Sequence, residues 1–391
     1  MFTCVVTQLL RHGVRVGSVQ GCSRLFTRAL ISQALRTFSD APATPKDLNK
    51  PIKQWELLVN PFTKVKCHLG CNISIKSLDP HAFPEADRAF VSLHVTDANQ
   101  TPNVDGFHVH YDDQSNELQI SADEVDCNVT VELTAPVKCD LHIKTKDKGN
   151  VKIQKMESDL CHVHTERGHC VLESVKGHEV QVQSTGGKVT GLQTIHGNVD
   201  ISTSLDSNVD IKKIQGTTMN LSTEHGDLKV KAIYAECTSV STSSGNIQIG
   251  HVHGEGTGRL KLFVQSKTGN IVIDSSSGAL KVFTTAGNID AYVGQDGSGE
   301  LHSQQGAVSV RVPSTMKAAV HLCGTSVSMS SEIVSSCQET ERTSADGKTT
   351  VTAHLNGGTH EERWIKATAE KGAVSLRNQS WFETLRLGAQ S

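Results

Sequence analysis

The sequence predicts an all-β fold: a single-stranded parallel β-helix, or solenoid, of about 9–10 coils with irregular β caps at both ends. Three observations predict it. A unit typified by TEHGDLKV (223–230) recurs about every nineteen residues, as Thr or Ser, two polar residues, Gly, a small polar residue and alternating apolar residues. Elsewhere, apolar and polar residues alternate in short runs bounded by Gly, Asn, Asp and Pro. Only 4% of residues are aromatic, against 37% hydrophobic in all and 32 glycines, which favours turn-rich β structure packed with aliphatic side chains.

Residues 1–39 carry Arg11, Arg15, Arg24, Arg28 and Arg36, and no acidic residue precedes Asp40. An Arg-rich, acid-free leader of this kind is expected to be a mitochondrial transit peptide directing the chain to the matrix. Arg36-Thr37-Phe38-Ser39 fits a processing site with the cut after Phe38. Arginines interrupt every candidate apolar core, so a secretory signal fits poorly. Residues 40–54 are rich in Pro and polar residues and read as a linker.

Residues 55–124 read as an N-terminal β cap, opening on WELLVNPF (55–62) and continuing through FVSLHV (90–95), FHVHY (107–111) and ELQISA (117–122). The solenoid is expected over 125–376. Aligned on their Gly, its units place Gly149, Gly168, Gly187, Gly226, Gly245, Gly269, Gly287 and Gly306 at one corner, with Ser207 standing in once. Two residues on run Val151, Cys170, Val189, Val209, Leu228, Ile247, Ile271, Ile289 and Val308, an apolar column that stacking at about 4.8 Å would make continuous. The Gly is expected to supply a corner of positive φ. The residue after it forms a polar column that includes Asn150, Asn208, Asn246, Asn270 and Asn288, expected to tolerate the left-handed region and to bond amide to amide. The Thr or Ser three residues before the Gly is expected to bond the corner backbone. An up-and-down β-sandwich of similar spacing is the competing fold. It leaves unexplained why like residues recur at like positions.

After the repeats, 335–350 (SSCQETERTSADGKTT) reads as a polar loop or hairpin tip, TAEKGAVSL (368–376) returns to the repeat, and 377–391 reads as a C-terminal capping tail. Trp381, Phe382, Leu385 and Leu387 would cover that end.

The repeat TxxGN[VI]x[IV], preceded by Pro136 to Thr145 as P-x-x-x-D-L-x-[IV]-x-T, resembles the putative-adhesin β-solenoid family, a domain of unknown function. Joined to a mitochondrial-type leader, it also looks like a vertebrate relative. The resemblance covers about 125–376. It implies a right-handed parallel solenoid and brings no catalytic residues.

For chemistry, three His-Val-His pairs stand out: His108-His110, His162-His164 and His251-His253. Alternate strand residues share a face, so each pair could present two imidazoles to a metal. Solvated outward histidines are the simpler reading. Cys67-His68-x-x-Cys71 offers soft ligands but no second half of a structural zinc site. Asp200, Asp210 and Asp290 are outward carboxylates, with Lys229, Gln248 and Val272 between the last two, so no ladder for glycan hydrolysis forms. Cys127-Cys139 and Cys323-Cys337 would pair only in an oxidising compartment. A net charge of −3 gives no field for nucleic acid, and no run of about eighteen apolar residues suggests a membrane span. No phosphate loop or nucleophile elbow occurs.

The expectation is therefore a non-enzymatic, cofactor-free mitochondrial solenoid serving as a protein-interaction or scaffolding module, with self-association a variant. The alternative is a metal-binding or carbohydrate-active β-helix protein using outward His or Asp side chains.

Overall fold

The structure is a computed structural model, and it describes residues 50–95, 106–122, 128–254, 260–359 and 363–379. The leader at 1–39 and most of the capping tail, with Trp381, Phe382, Leu385 and Leu387, lie outside the described residues.

Short strands stack in two parallel ladders. The first runs Val151↔Cys170↔Val189↔Val209↔Leu228↔Ile247↔Ile271↔Ile289↔Val308↔Val374. The second carries Val163↔Val182↔Ile201↔Leu221↔Val240↔Val264↔Val282↔Leu301. Strands Val151–Thr165, Cys170–Ser184 and Val189–Thr203 bend from one ladder into the other. Parallel register across whole coils excludes the sandwich, whose neighbours would run antiparallel. In a middle coil, Met219, Leu221 and Thr223 face Leu228, Val230 and Ile233 across the core, and all are buried. One continuous apolar column per inward position supplies the burial that a lone coil cannot.

The corner before the first ladder shows why the motif has its form. None of the aligned glycines adopts positive φ; that backbone belongs to Gly197 (φ 133°) and Gly216 (φ 149°) at another corner of the coil. Nor does any of Asn150, Asn208, Asn246, Asn270 or Asn288 enter the left-handed region. The Gly is needed for a different reason. A Cβ on Gly168, Gly187, Gly245 or Gly306 would strike the carbonyl oxygen of the aligned Gly one coil earlier, far inside the 3.0 Å that real Cβ contacts respect. The coils touch backbone to backbone there.

The Asn column also works differently from the expected amide-to-amide ladder. Each side-chain Oδ1 accepts the backbone N–H of its successor: Asn208 from Asp227 at 2.8 Å, Asn246 from Asn270 at 3.0 Å, Asn270 from Asn288 at 2.9 Å and Asn288 from Ala307 at 2.9 Å. Asp227 substitutes through its carboxylate and His169 through Nδ1. Asn72 heads the file, its Oδ1 accepting from the N–H of Asn150 at 3.0 Å. CNISI (71–75) is thus the repeat with Cys in place of Gly. The inward hydroxyls close the corner: Thr223 Oγ1 donates to Gly226 O at 2.8 Å, and Ser303 Oγ accepts from Gly306 N–H at 2.8 Å. Thr145, Thr165 and Ser266 occupy the same file with buried hydroxyls that have no partner.

Layers follow chain order through the middle but not at the ends. Lys64–Leu69 and Asn72–Ser77 insert between Glu117–Ala122 with Val129–Ala135 on one side and the coil opening at Asp140 on the other. Trp364–Ala369 and Val374–Asn378 likewise insert between Ser298–Ser303 with Val308–Val312 and the earlier pair Ala318–Gly324 and Val327–Met329. Part of the expected cap at 55–124 is therefore regular coil. Antiparallel strands finish both ends: Arg88–Val95, Lys53–Leu58 and Phe107–Asp112 at one, Lys348–Leu355 and Cys337–Ala345 at the other. The polar stretch 335–350, read as a loop or hairpin tip, forms the end of a short helix (Ser331–Ser336) and a hairpin turning at Asp346-Gly347, both at positive φ as a two-residue hairpin turn requires.

Gly245→Ala is expected to cost at least about 2 kcal/mol in denaturant unfolding, since its Cβ meets backbone that cannot move aside. Gly106→Ala, with open space around it, should stay within about 0.5 kcal/mol. Equal costs would remove the steric account of the repeat.

Candidate functional site

The outward face of the second ladder near the N-terminal end gathers histidines and lysines. In DLHIKT (140–145) and CHVHT (161–165), period-two alternation sends Leu141, Ile143, Cys161 and Val163 into the core. His142, Lys144, His162 and His164 therefore point outward. Register then assembles two files: Lys66, His142, His162 and Gln181; and His68, Lys144, His164 and Gln183. They bound a depression of about 260 Å³ whose lining contains no carboxylate. The His142 and His162 rings meet edge to face with centroids 5.3 Å apart. His162 Nε2 is shut off from solvent without a hydrogen bond, although Glu179 Oε1 lies 3.4 Å away. That contact has the distance of an ion pair and lacks the angle of a hydrogen bond. The sequence singles out His162 and His164, and His68 only as a partner of Cys67 and Cys71, but not His142. The signal for His142 is the register itself, which puts DLHIKT beside CHVHT.

Burial first, then His162 and the Lys66 and Lys64 ammonium groups, hold His142 below the ordinary 6.5, against an opposing pull from Asp140. His68 is lowered by burial, Lys146 and Lys144, against Glu166.

The other expected ligands do not converge. Cys67 and Cys71 are buried, while His68 leaves the opposite side of the strand from Cys67, so the three cannot chelate one ion. Burial lifts the thiols of Cys67, Cys71 and Cys161 to about 12, and those of Cys139 and Cys170 upward as well. His253 stacks on Tyr234 at 5.7 Å and meets Ser277 Oγ at 3.3 Å, whereas its neighbour His251 pairs across to Ala232 and Ser275. His108 and His110 sit on the outermost strand Phe107–Asp112, opposite Ser121 and Gln119. Among the described residues, no three His, Cys, Asp or Glu side chains are grouped to hold a metal ion. Cys337 aligns through Leu355 with Ala318, leaving Cys323 five residues further along that strand. The sulfurs are separated by well over 15 Å, so this disulfide cannot form.

Asp210 and Asp290 share one file with Lys229, Gln248 and Val272 between them, but Asp200 belongs to the other ladder, between Gln181 and Asn220. Asp290 is engaged by Arg311, a residue that sequence reasoning missed. Only 3% exposed, Arg311 donates through Nε to Asp290 at 2.6 Å, through Nη1 to Gln379 at 2.9 Å and through Nη2 to the Ile273 carbonyl at 3.0 Å. It clamps three coils, and burial raises Asp274 beside it. Nothing in VSVRV (308–312) distinguishes this Arg from a solvated one.

A family model described as Toastrack DUF4097 matches residues 81–250 and again 192–361, together more than half of the 391 residues. Among solved structures, a putative adhesin from Parabacteroides merdae is 13% identical, with 66% of this chain and 92% of that one covered and a TM-score of 0.40. A putative adhesin from Parabacteroides distasonis is 12% identical, covering 83% and 96%, also at 0.40. With TM-scores this low, the fold rests on the strand register and not on these likenesses.

Because folded His142, His68 and His253 resist a proton that the unfolded chain accepts near 6.5, the unfolded state binds more protons as pH falls through that value. Thermal stability should therefore decline from about pH 7.5 to about pH 5.5, and His142→Gln should shrink the decline. An undiminished decline in the variant would remove His142 from the account. For the thiols, a maleimide should label Cys237, Cys323 and Cys337 in the native protein, and the five buried cysteines only after unfolding. Rapid native labelling of Cys161 would contradict the packing.

Proposed function

We propose, from the premise that this chain belongs to the Toastrack DUF4097 family, that it is a non-enzymatic β-solenoid serving as a protein-interaction or scaffolding module of the mitochondrial matrix. The observation that carries the reading is the register. Outward residues of successive coils fall into straight files on two flat faces, held by backbone contact, so a partner meets a rigid, periodic polar surface. In the middle of one face those files read Asn220, Ser239 and the exposed Phe263, and Ser222, Ser241 and Gln265, chemistry suited to hydrogen bonding around one apolar contact and poor in groups that transfer protons or electrons. The Arg-rich, acid-free leader supports the matrix.

A second copy is the partner that one observation favours. Leu58 and Phe62, 65% and 66% exposed, lie at the N-terminal end, at and just beyond the outermost strand Lys53–Leu58.

Proximity labelling with the full chain in intact mitochondria tests both parts. It is expected to recover matrix proteins in a set that shrinks when Ser239 and Ser241, on the open face, are changed to Arg. Labelling confined to the cytosol would overturn the location. A set indifferent to the Arg changes would overturn the face. Sedimentation of the purified chain separates the second copy from another protein, since a dimer lost on Phe62→Ser assigns the end contact.

A further inference from the structure

Several lysines on the outer surface find a counter-charge on a nearby coil. Lys176 meets Glu157 at 2.6 Å, Lys188 meets Asp210 at 3.2 Å and Lys281 meets Glu300 at 3.4 Å. Of the two lysines in the files of the N-terminal depression, Lys66 has such a partner and Lys144 has none among the described residues. Running through Lys66, His142 and His162, and through His68, Lys144 and His164, the two files contain no acidic residue, and both end on Gln. Glu117 reaches Lys66 from the coil beyond at 2.6 Å, but it does not line the depression. Every polar side chain in the lining can donate a hydrogen bond, and His162 Nε2 lies buried there with none made.

We propose that this depression is a binding site for an oxyanion of the carboxylate or phosphate class, held by Lys66 and Lys144 and by the imidazoles of His142, His162 and His164. Lys66 already meets Glu117 and His162 lies 3.4 Å from Glu179, so the unmet demand for negative charge centres on Lys144, His142 and His164, and an oxyanion supplies it together with several acceptor lone pairs. A bound anion would also oppose the burial, and offset the neighbouring lysine charge, that hold His142 and His68 neutral near pH 7. Binding is therefore coupled to proton uptake and tightens as pH falls through 6.5. The charged groups facing these rings are Lys64 and Lys66 from one strand, Asp140, Lys144 and Lys146 from the next, and Glu166 and Glu179 from the coils that follow. Cations on the nearer strands are what an anion would relieve. The assignment names the chemistry of a face proposed above for docking, and it rests on that reading only for whether a partner or a free metabolite carries the anion.

Calorimetric titration of the full chain with citrate, inorganic phosphate and a pentaglutamate peptide tests it. One equivalent of anion is expected to bind, about tenfold more tightly near pH 6 than near pH 7.5. Lys144→Met and His142→Gln should each weaken binding by about tenfold or more, whereas Lys144→Arg retains it and Lys229→Met, on the other ladder, leaves it unchanged. Binding of citrate or phosphate marks a free ligand as source; binding of the peptide alone marks a partner's acidic segment. No heat with any of the three at millimolar concentration, or full affinity in folded Lys144→Met, would overturn the site. A partner set in mitochondria that is indifferent to the Ser239 and Ser241 changes, with anion binding intact, would sink the docking reading alone.

Discussion

Wherever a Gly stands at the corner, and not Ser207 or Cys71, each coil rests on its neighbour through a contact too close to admit a β carbon. At that corner the Cα of one glycine lies over the carbonyl oxygen of the glycine a coil earlier, and everything else in the unit follows from the approach. Bringing two backbones together strips water from their polar groups, which must then find partners. The residue after the Gly answers with a side-chain oxygen that accepts the next coil's N–H, and the inward Thr or Ser hydroxyl serves the corner carbonyl or N–H. Where Lys188 interrupts the column, no side-chain oxygen is present, and the Lys turns instead to Asp210. The corner sets the spacing, and the apolar columns then fill it.

Much of this was legible because a solenoid writes its third dimension into its period. Val151, Cys170, Val189 and their successors can be aligned by eye, and parallel pairing follows once like residues recur at like positions. The reason for the Gly was not legible. A one-letter pattern does not distinguish a residue chosen for its φ from one chosen for its missing side chain, and both kinds occur in the same coil here, as Gly187 and Gly197. The first coil was missed because Cys71 stands where the motif has Gly, and because its place in the stack is set by pairing with strands some seventy residues away. The place of His142, and of His68 beside Lys144 instead of Cys67 and Cys71, is hidden for the same reason. Alternation gives the face of a residue, but only register gives its neighbours.

The two outer faces differ in what they could recognise. The second ladder passes from a His- and Lys-rich end into a stretch of Asn, Ser and Gln. The first ladder carries Asp210, Lys229, Asp274 and Asp290, with Arg311 drawn down among the carboxylates. A charge buried to that degree needs hydrogen bonds on every side, and Arg311 has an acid, an amide and a main-chain carbonyl. Its partners leave Asp290 committed to cohesion between coils.

The out-of-order layers bear on how the chain is made. As the polypeptide leaves the ribosome, the middle coils can add one after another, each onto a finished predecessor. The segment 318–355 cannot, because the layer it rests on is not yet synthesised when it emerges. Until Trp364–Asn378 slides in between, its apolar strands wait without a seat. The opposite end presents the converse case: Lys64–Ser77 is available early but is sandwiched only after 117–135 and the coil from Asp140 have appeared. A molecule with both outer layers threaded in this way resists fraying from either tip, at the cost of a nascent interval in which about forty residues depend on helpers to stay apart from other chains.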